Sequence, residues 1–114
     1  MDRLILNVLK WGHDRGLHDT IDMQGQLVKL TEELGEVARG VAKDKSNLIV
    51  DGIGDMLVVM INLGAVWHQR FGLGTAEDFL EDCLAEAWNQ IAARTGKTVN
   101  GIFVKDEPPN EEEN

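Results

Sequence analysis

The chain has one cysteine, no tyrosine, and two prolines that both fall after residue 107. A lone Cys83 excludes an internal disulfide and a thiolate zinc cluster, and it reads as a packed or half-exposed thiol. His13, His18 and His68 share no ligand spacing and are expected at surfaces or helix ends. No basic stripe is present to neutralise phosphates, so a nucleic-acid polymer is disfavoured as partner. The opening Met-Asp-Arg-Leu-Ile-Leu-Asn-Val-Leu-Lys is too short and too charged for a signal peptide, which makes the cytoplasm the expected location. No strand-period run occurs before residue 97, and there is no internal repeat.

What is present is a long apolar run with a misfit inside it. Residues 48–67 read Leu-Ile-Val-Asp-Gly-Ile-Gly-Asp-Met-Leu-Val-Val-Met-Ile-Asn-Leu-Gly-Ala-Val-Trp. A helix apolar nearly all round is expected to be buried, and an ionised Asp55 there costs several kcal/mol unless compensated. Asp51, one turn back, adds a second negative charge, and no Lys or Arg lies between Lys45 and Arg70. The two acids mark the run as a bundle core, not a membrane span. The preceding segment, Lys-Leu-Thr-Glu-Glu-Leu-Gly-Glu-Val, brings Glu32, Glu33 and Glu36. A divalent metal would resolve the charge conflict.

With 114 residues, 43% of them apolar, the chain suits one small domain over 1–105 whose limited core is completed by oligomerisation, followed by an acidic disordered tail over 106–114. The net charge of −9 is concentrated in two places. The stretch from Lys105 onward carries −4, the five carboxylates above carry −5, and the remainder is neutral.

Periodicity and capping signals outline four helices: Asp2 to about Arg15, with Leu4, Val8 and Trp11 on one face; Ile21 or Asp22 to about Lys43; Ser46 or Asn47 to about Arg70, stopped by Gly72 and Gly74; and a last one capped by Thr75 and ending near Arg94. Leu27, Leu30, Leu34, Val37 and Val41 step by three and four, the seam pattern of a bundle or coiled coil. Thr98–Val104 contains an Asn-Gly turn signal and reads as a short hairpin or extended arm. The fold class is thus all-α: a four-helix bundle-type protomer that assembles into a homodimer or homotetramer.

Helix geometry gathers the acids. Glu32, Glu33 and Glu36 lie three and four apart, flanked by Gln26 and Lys29, and Asp51, Asp55 and Asn62 share a face of the next helix. A short connection makes the two helices antiparallel neighbours. Oxygen ligands without cysteine or clustered histidine favour Mg²⁺ or Mn²⁺ over zinc. A Glu-Glu-x-x-Glu triplet alone is common on solvated helix faces; it gains meaning from Asp55. Trp11, Trp67 and Trp88 read as core, with base stacking left open.

Gln26-Leu-Val-Lys-Leu-Thr-Glu-Glu-Leu-Gly-Glu-Val37, followed by Asp51-Gly-Ile-Gly-Asp-Met-Leu-Val-Val59, resembles the MazG-like all-α nucleoside triphosphate pyrophosphohydrolases. Their pattern is Glu-Glu-x-x-Glu on one helix and Glu-x-x-Asp on the next. The segment Trp88–Lys105 is also similar to the C-terminal part of small members, so the resemblance spans roughly Trp11 to Lys105. It implies Glu33, Glu36 and Asp55 as metal ligands and Glu32 as activator of the attacking water. The family's second-motif Glu falls on Gly52 here. Asp51 is the stand-in ligand, but it points about 100° away from a residue at 52. It either reaches an ion through altered geometry or a water, or leaves a second ion held more weakly.

The implied reaction is hydrolysis of an NTP or dNTP to the monophosphate and pyrophosphate by water attack at the α-phosphorus. Lys29, Arg39, Lys43 and Lys97 are candidates to offset phosphate charge, and Gln26 and Asn62 to bond sugar or base. A competing expectation is a non-catalytic acidic helical module that dimerises through its Leu27–Val41 seam, with Asp51 and Asp55 salt-bridged to the partner. A di-iron carboxylate bundle is disfavoured, because no His follows a Glu at three.

Overall fold

A computed structural model describes residues 2–107: four helices, α1 (Asp2–Asp14), α2 (Gln24–Ala42), α3 (Ser46–Phe71) and α4 (Ala76–Ala92), then strands β1 (Gly96–Val99) and β2 (Ile102–Lys105). Pro108, Pro109 and the acids that follow, expected to be disordered, lie outside the described residues. The chain divides into two compact units, one ending at Glu81 and one beginning at Asp82.

In the first unit α3 is the element on which α1 and α2 pack. The turn Lys43–Lys45 reverses the chain tightly: Asp44 takes a left-handed φ of 53° and the Lys45 amide donates to the Gly40 carbonyl at 2.8 Å. The helices therefore run antiparallel, with Gly40 against Ile49 and Val37 against Gly52. Gly52 is what permits this approach, since a Cβ there would stand 2.5 Å from Val37 Cγ2. On α1 the buried contact is Gly12, where a Cβ would stand 2.0 Å from Asn62 Oδ1. Gly64 admits Leu80, from the start of α4, in the same way.

The packed faces differ from those expected. On α2 the inner residues are Gln26, Leu30, Glu33, Val37 and Gly40, while Leu27, Leu34 and Val41 are exposed. Leu30 and Val37 of the expected seam do face inward, but Leu27, Leu34 and Val41 give way to Gln26, Glu33 and Gly40, because glycine and short contacts, not the bulkiest residues, set the interhelical approach. On α1 the half-buried residues are Ile5, Val8 and Leu9, with Leu4 and Trp11 exposed. Trp67 and Trp88 are exposed as well, so none of the three tryptophans is a core residue in this chain. α3 is long and apolar enough to cross a membrane by length and composition alone. It is not buried all round: only Gly52, Val59, Asn62, Ala65 and Val66 are fully covered.

Helix ends follow local chemistry. α2 begins two or three residues later than expected, because the Asp22 side chain accepts from the Gln24 amide at 2.9 Å and holds the preceding residues in a turn. Neither Ser46 nor Asn47 caps α3; Lys45 occupies the cap position without a side-chain bond. Gly72 closes α3 in the left-handed region at φ 52°, its amide donating to the His68 carbonyl. The Thr75 hydroxyl caps α4 by accepting from the Asp78 amide at 3.1 Å.

The second unit holds the remainder of α4 and the antiparallel hairpin, registered Gly96 to Lys105 and Val99 to Ile102. Asn100 and Gly101 both have positive φ, 52° and 79°. That is the type I′ turn whose twist matches the paired strands.

Candidate metal centre

Glu33 lies on the inner face of α2 and Glu36 one turn on, while the antiparallel run of α3 brings Asp55 opposite. One carboxylate oxygen from each of the three lies within 4.8 Å of the other two. Oxygens sharing one Mg²⁺ stand up to about 4.2 Å apart, twice the metal–oxygen distance, so small side-chain adjustments close the set. At that separation each pair of charges repels by roughly 3 kcal/mol at an effective dielectric of about 20, less where the groups face water.

Glu33 carries the main anomaly of the site. It is only 6% exposed, and its Oε2 is buried without a hydrogen-bond partner. Its Oε1 has Lys29 Nζ at 3.4 Å, and the same ammonium stands 3.6 Å from Glu32 Oε2. The bond to Glu33, then its charge and that of Glu32, hold the Lys29 pKa above its ordinary value. A buried, half-partnered carboxylate among two others is a group that could hold a metal ion, and all-oxygen donors are of the type that suits hard cations.

The expectation that Asp51 and Asp55 lie on a buried face does not hold: both are exposed. Asp55 is open because its stretch of α3 borders a cavity of about 610 Å³, lined by Trp11, Leu17, Gly25, Gln26, Lys29, Glu33, Asp55, Val58, Val59 and Asn62. Asp51, one turn along α3, and Glu32, on the exposed side of α2, both stand outside the close carboxylate group. The position expected to carry a further acid, Gly52, is closed by Val37, so the close ligand set among the described residues is three carboxylates.

Of the expected substrate contacts, Gln26, Lys29 and Asn62 meet in that cavity. Asn62 is 1% exposed and already engaged: its Nδ2 donates to the Val58 carbonyl at 3.0 Å, and its Oδ1 is 2.8 Å from His18 Nε2. With the amide so oriented, His18 must be the donor, which fixes the proton on Nε2. Lys97 lies on β1 in the second unit and is exposed.

Sequence reasoning missed the wall opposite the carboxylates. Trp11 lines the cavity with the Arg15 guanidinium 4.6 Å from its ring centre. The residues after α1 are tied to α3 by His18 to Asn62, by the Gln69 amide to the His18 carbonyl, and by Arg70 to the Ile21 carbonyl at 2.9 Å. His13, His18 and His68 line a second cavity of about 290 Å³. The available signal was Gly12: a glycine inside a helix is unfavourable and usually has a packing reason.

The chain is 44% identical over 68 residues to an uncharacterized 18.2 kDa protein in the rep-hol intergenic region of Haemophilus phage HP1 (strain HP1c1). The match covers 60% of this chain and 42% of that relative, so the chain matches less than half of the relative's length. No family model matches the chain, and no solved structure does.

Proposed function

We propose that the chain is a metal-dependent nucleoside triphosphate pyrophosphohydrolase of the MazG-like kind. The observation that carries this reading is the orphaned Glu33 Oε2 within a three-carboxylate group, two of whose members, Glu33 and Asp55, line a nucleotide-sized cavity. Glu33, Glu36 and Asp55 would hold Mg²⁺ or Mn²⁺. When bound, the ion supplies charge stabilisation for the reacting phosphates.

The chain's own residues do the rest. Glu32, exposed beside the ligand pair, accepts the proton of the attacking water. The water oxygen bonds to the α-phosphorus, the bond from that phosphorus to the bridging oxygen breaks, and pyrophosphate leaves with the bridging electron pair. Lys29 offsets phosphate charge. Trp11 offers an exposed ring as a stacking surface for the base, and Gln26 a hydrogen-bonding group nearby. Asn62, engaged on both sides, shapes the wall more than it reads the substrate.

Exposure of Leu27, Leu34 and Val41 supports assembly into a homodimer or homotetramer. The same flank is what a purely associative module would use. The Glu33 anomaly favours the enzyme, since a module has no need of an unpartnered buried carboxylate. A panel of NTPs and dNTPs with Mg²⁺ or Mn²⁺, reading pyrophosphate and orthophosphate separately, tests the proposal. Pyrophosphate release that stops with chelator is expected; orthophosphate alone, or no turnover of any nucleotide, sinks it.

A further inference from the structure

We infer that the Lys29 ammonium serves as the counter-charge of the Glu33 carboxylate and gives up that role to the ion, which releases it to bind the substrate's phosphates. This rests on the metal-dependent reading above. The pair is loose: 3.4 Å to Glu33 Oε1 and 3.6 Å to Glu32 Oε2, against about 2.7–2.9 Å for a strong ammonium–carboxylate bond. It also leaves Oε2 unsatisfied, so one cation spread over two acids neutralises the buried group incompletely.

A divalent ion held by Glu33, Glu36 and Asp55 would draw on the same buried carboxylate that Lys29 now faces through Oε1. Two cations would then share one carboxylate, and the ammonium is the one that can leave. Its stem is flexible, more than half of its side chain is exposed, and it already lines the cavity where a triphosphate would lie. Glu32 alone would retain it weakly. The phosphates would retain it better, being several charges instead of one.

The exchange couples the two ligands. Lys29 opposes metal binding to the bare protein and favours triphosphate binding to the metal-loaded protein, so each ligand helps the other. A side chain that only supported the helix would do neither.

The test uses the full chain and two probes, Mn²⁺ and inorganic tripolyphosphate, with binding read by calorimetry. Lys29→Gln should bind Mn²⁺ about 3- to 10-fold more tightly than the parent, within the usual range of a coupling between two bound groups. The Mn²⁺-loaded variant should bind tripolyphosphate at least about 5-fold more weakly, by the same coupling. Arg70→Gln, fifteen residues along α3 from Asp55 and so about 22 Å away, controls for loss of a charge and should change Mn²⁺ affinity less than about 2-fold, being beyond a Debye length. Unchanged or weaker Mn²⁺ binding in Lys29→Gln overturns the exchange, and so does equal tightening in both variants. Unchanged tripolyphosphate binding overturns its second half. Failure of the parent chain to bind Mn²⁺ is a different result, because it removes the metal reading itself.

Discussion

Two neighbouring stripes of α2 have been put to opposite uses. The stripe Leu27–Leu34–Val41 is the more apolar, yet it faces solvent. The stripe Gln26–Leu30–Glu33–Val37–Gly40 contains an amide, a carboxylate and a glycine, yet it packs on α3. Burial in this chain therefore does not follow hydrophobicity alone. The inner stripe builds a cavity wall and holds a buried carboxylate, and the outer one leaves apolar surface exposed. Exposed apolar side chains in such a row are ordinary in a subunit and unusual in a monomer.

The largest effect should come from the inner stripe. Glu33→Gln keeps the shape of the side chain and removes the charge. Loss of an outer partner of a bound metal costs about 10–100-fold, so if Glu33 is the direct ligand proposed above its loss should cost more than about 100-fold in activity. In chelator, the variant should melt no lower than the parent, since it no longer buries an under-compensated carboxylate. A large loss of stability in chelator would instead make Glu33 a structural salt-bridge partner of Lys29.

The contrast also marks what the sequence could reveal. The Asn100-Gly101 turn, the Thr75 cap and the Gly72 stop were legible because each depends on a few adjacent residues. The buried acid was legible in kind and misplaced in position: the apolar run pointed to Asp55, whereas the covered carboxylate is Glu33 on the more polar helix. A run of apolar residues reports average environment, and a cavity beside one face of α3 is a tertiary feature that no local pattern encodes. Stripes spaced by three and four also cannot say which of two adjacent rows packs. That was decided by Gly40 and Gly52, which let the helices approach, and by the turn at Asp44.

Gly52 gives the next effect in size. Alanine there gains about 1 kcal/mol of helix propensity but drives a Cβ to 2.5 Å from Val37 Cγ2. Overpacking of this kind costs about 1–3 kcal/mol, so a net destabilisation is expected by denaturant titration. Val37→Ala in the same chain should recover part of it, because it removes the clashing methyl. If Gly52→Ala proves stabilising in the Val37 background, the close approach of α2 to α3 is wrong. Gly52→Glu, which restores the acid expected from the family pattern, should disrupt the contact instead of adding a ligand.

The outer stripe is tested by Leu27→Gln with Leu34→Gln. Since both side chains are exposed, the folded protomer should change by no more than about 0.5 kcal/mol. Assembly should respond more. The parent is expected to sediment above the 12.7 kDa of one chain and the double variant at it. A parent that already sediments as one chain removes the proposed use of this face.

The smallest effect belongs to a second lysine–acid pair, which sharpens what is special about the first. Lys10 and Asp14 are spaced by four like Lys29 and Glu33, but both are exposed, with Nζ 2.5 Å from Oδ2. The hydrogen bond from Lys10 lowers the Asp14 pKa below its ordinary value against an opposing desolvation, with smaller help from the Lys10 charge and from His13. A carboxylate with a lowered folded pKa stabilises the fold above its unfolded pKa and loses that contribution as pH falls through the folded value. Asp14→Asn should therefore show a constant melting difference from about pH 5 upward that shrinks to nothing in strong acid. The difference should be at the edge of detection, since water and salt screen an exposed pair and a carboxylate in the last turn of α1 faces the negative end of the helix dipole. Added salt should erase it, whereas the buried Glu33 oxygen, sheltered from solvent, should keep its response to metal at the same ionic strength. Equal salt sensitivity of the two would mean that Glu33 is no more sheltered than Asp14.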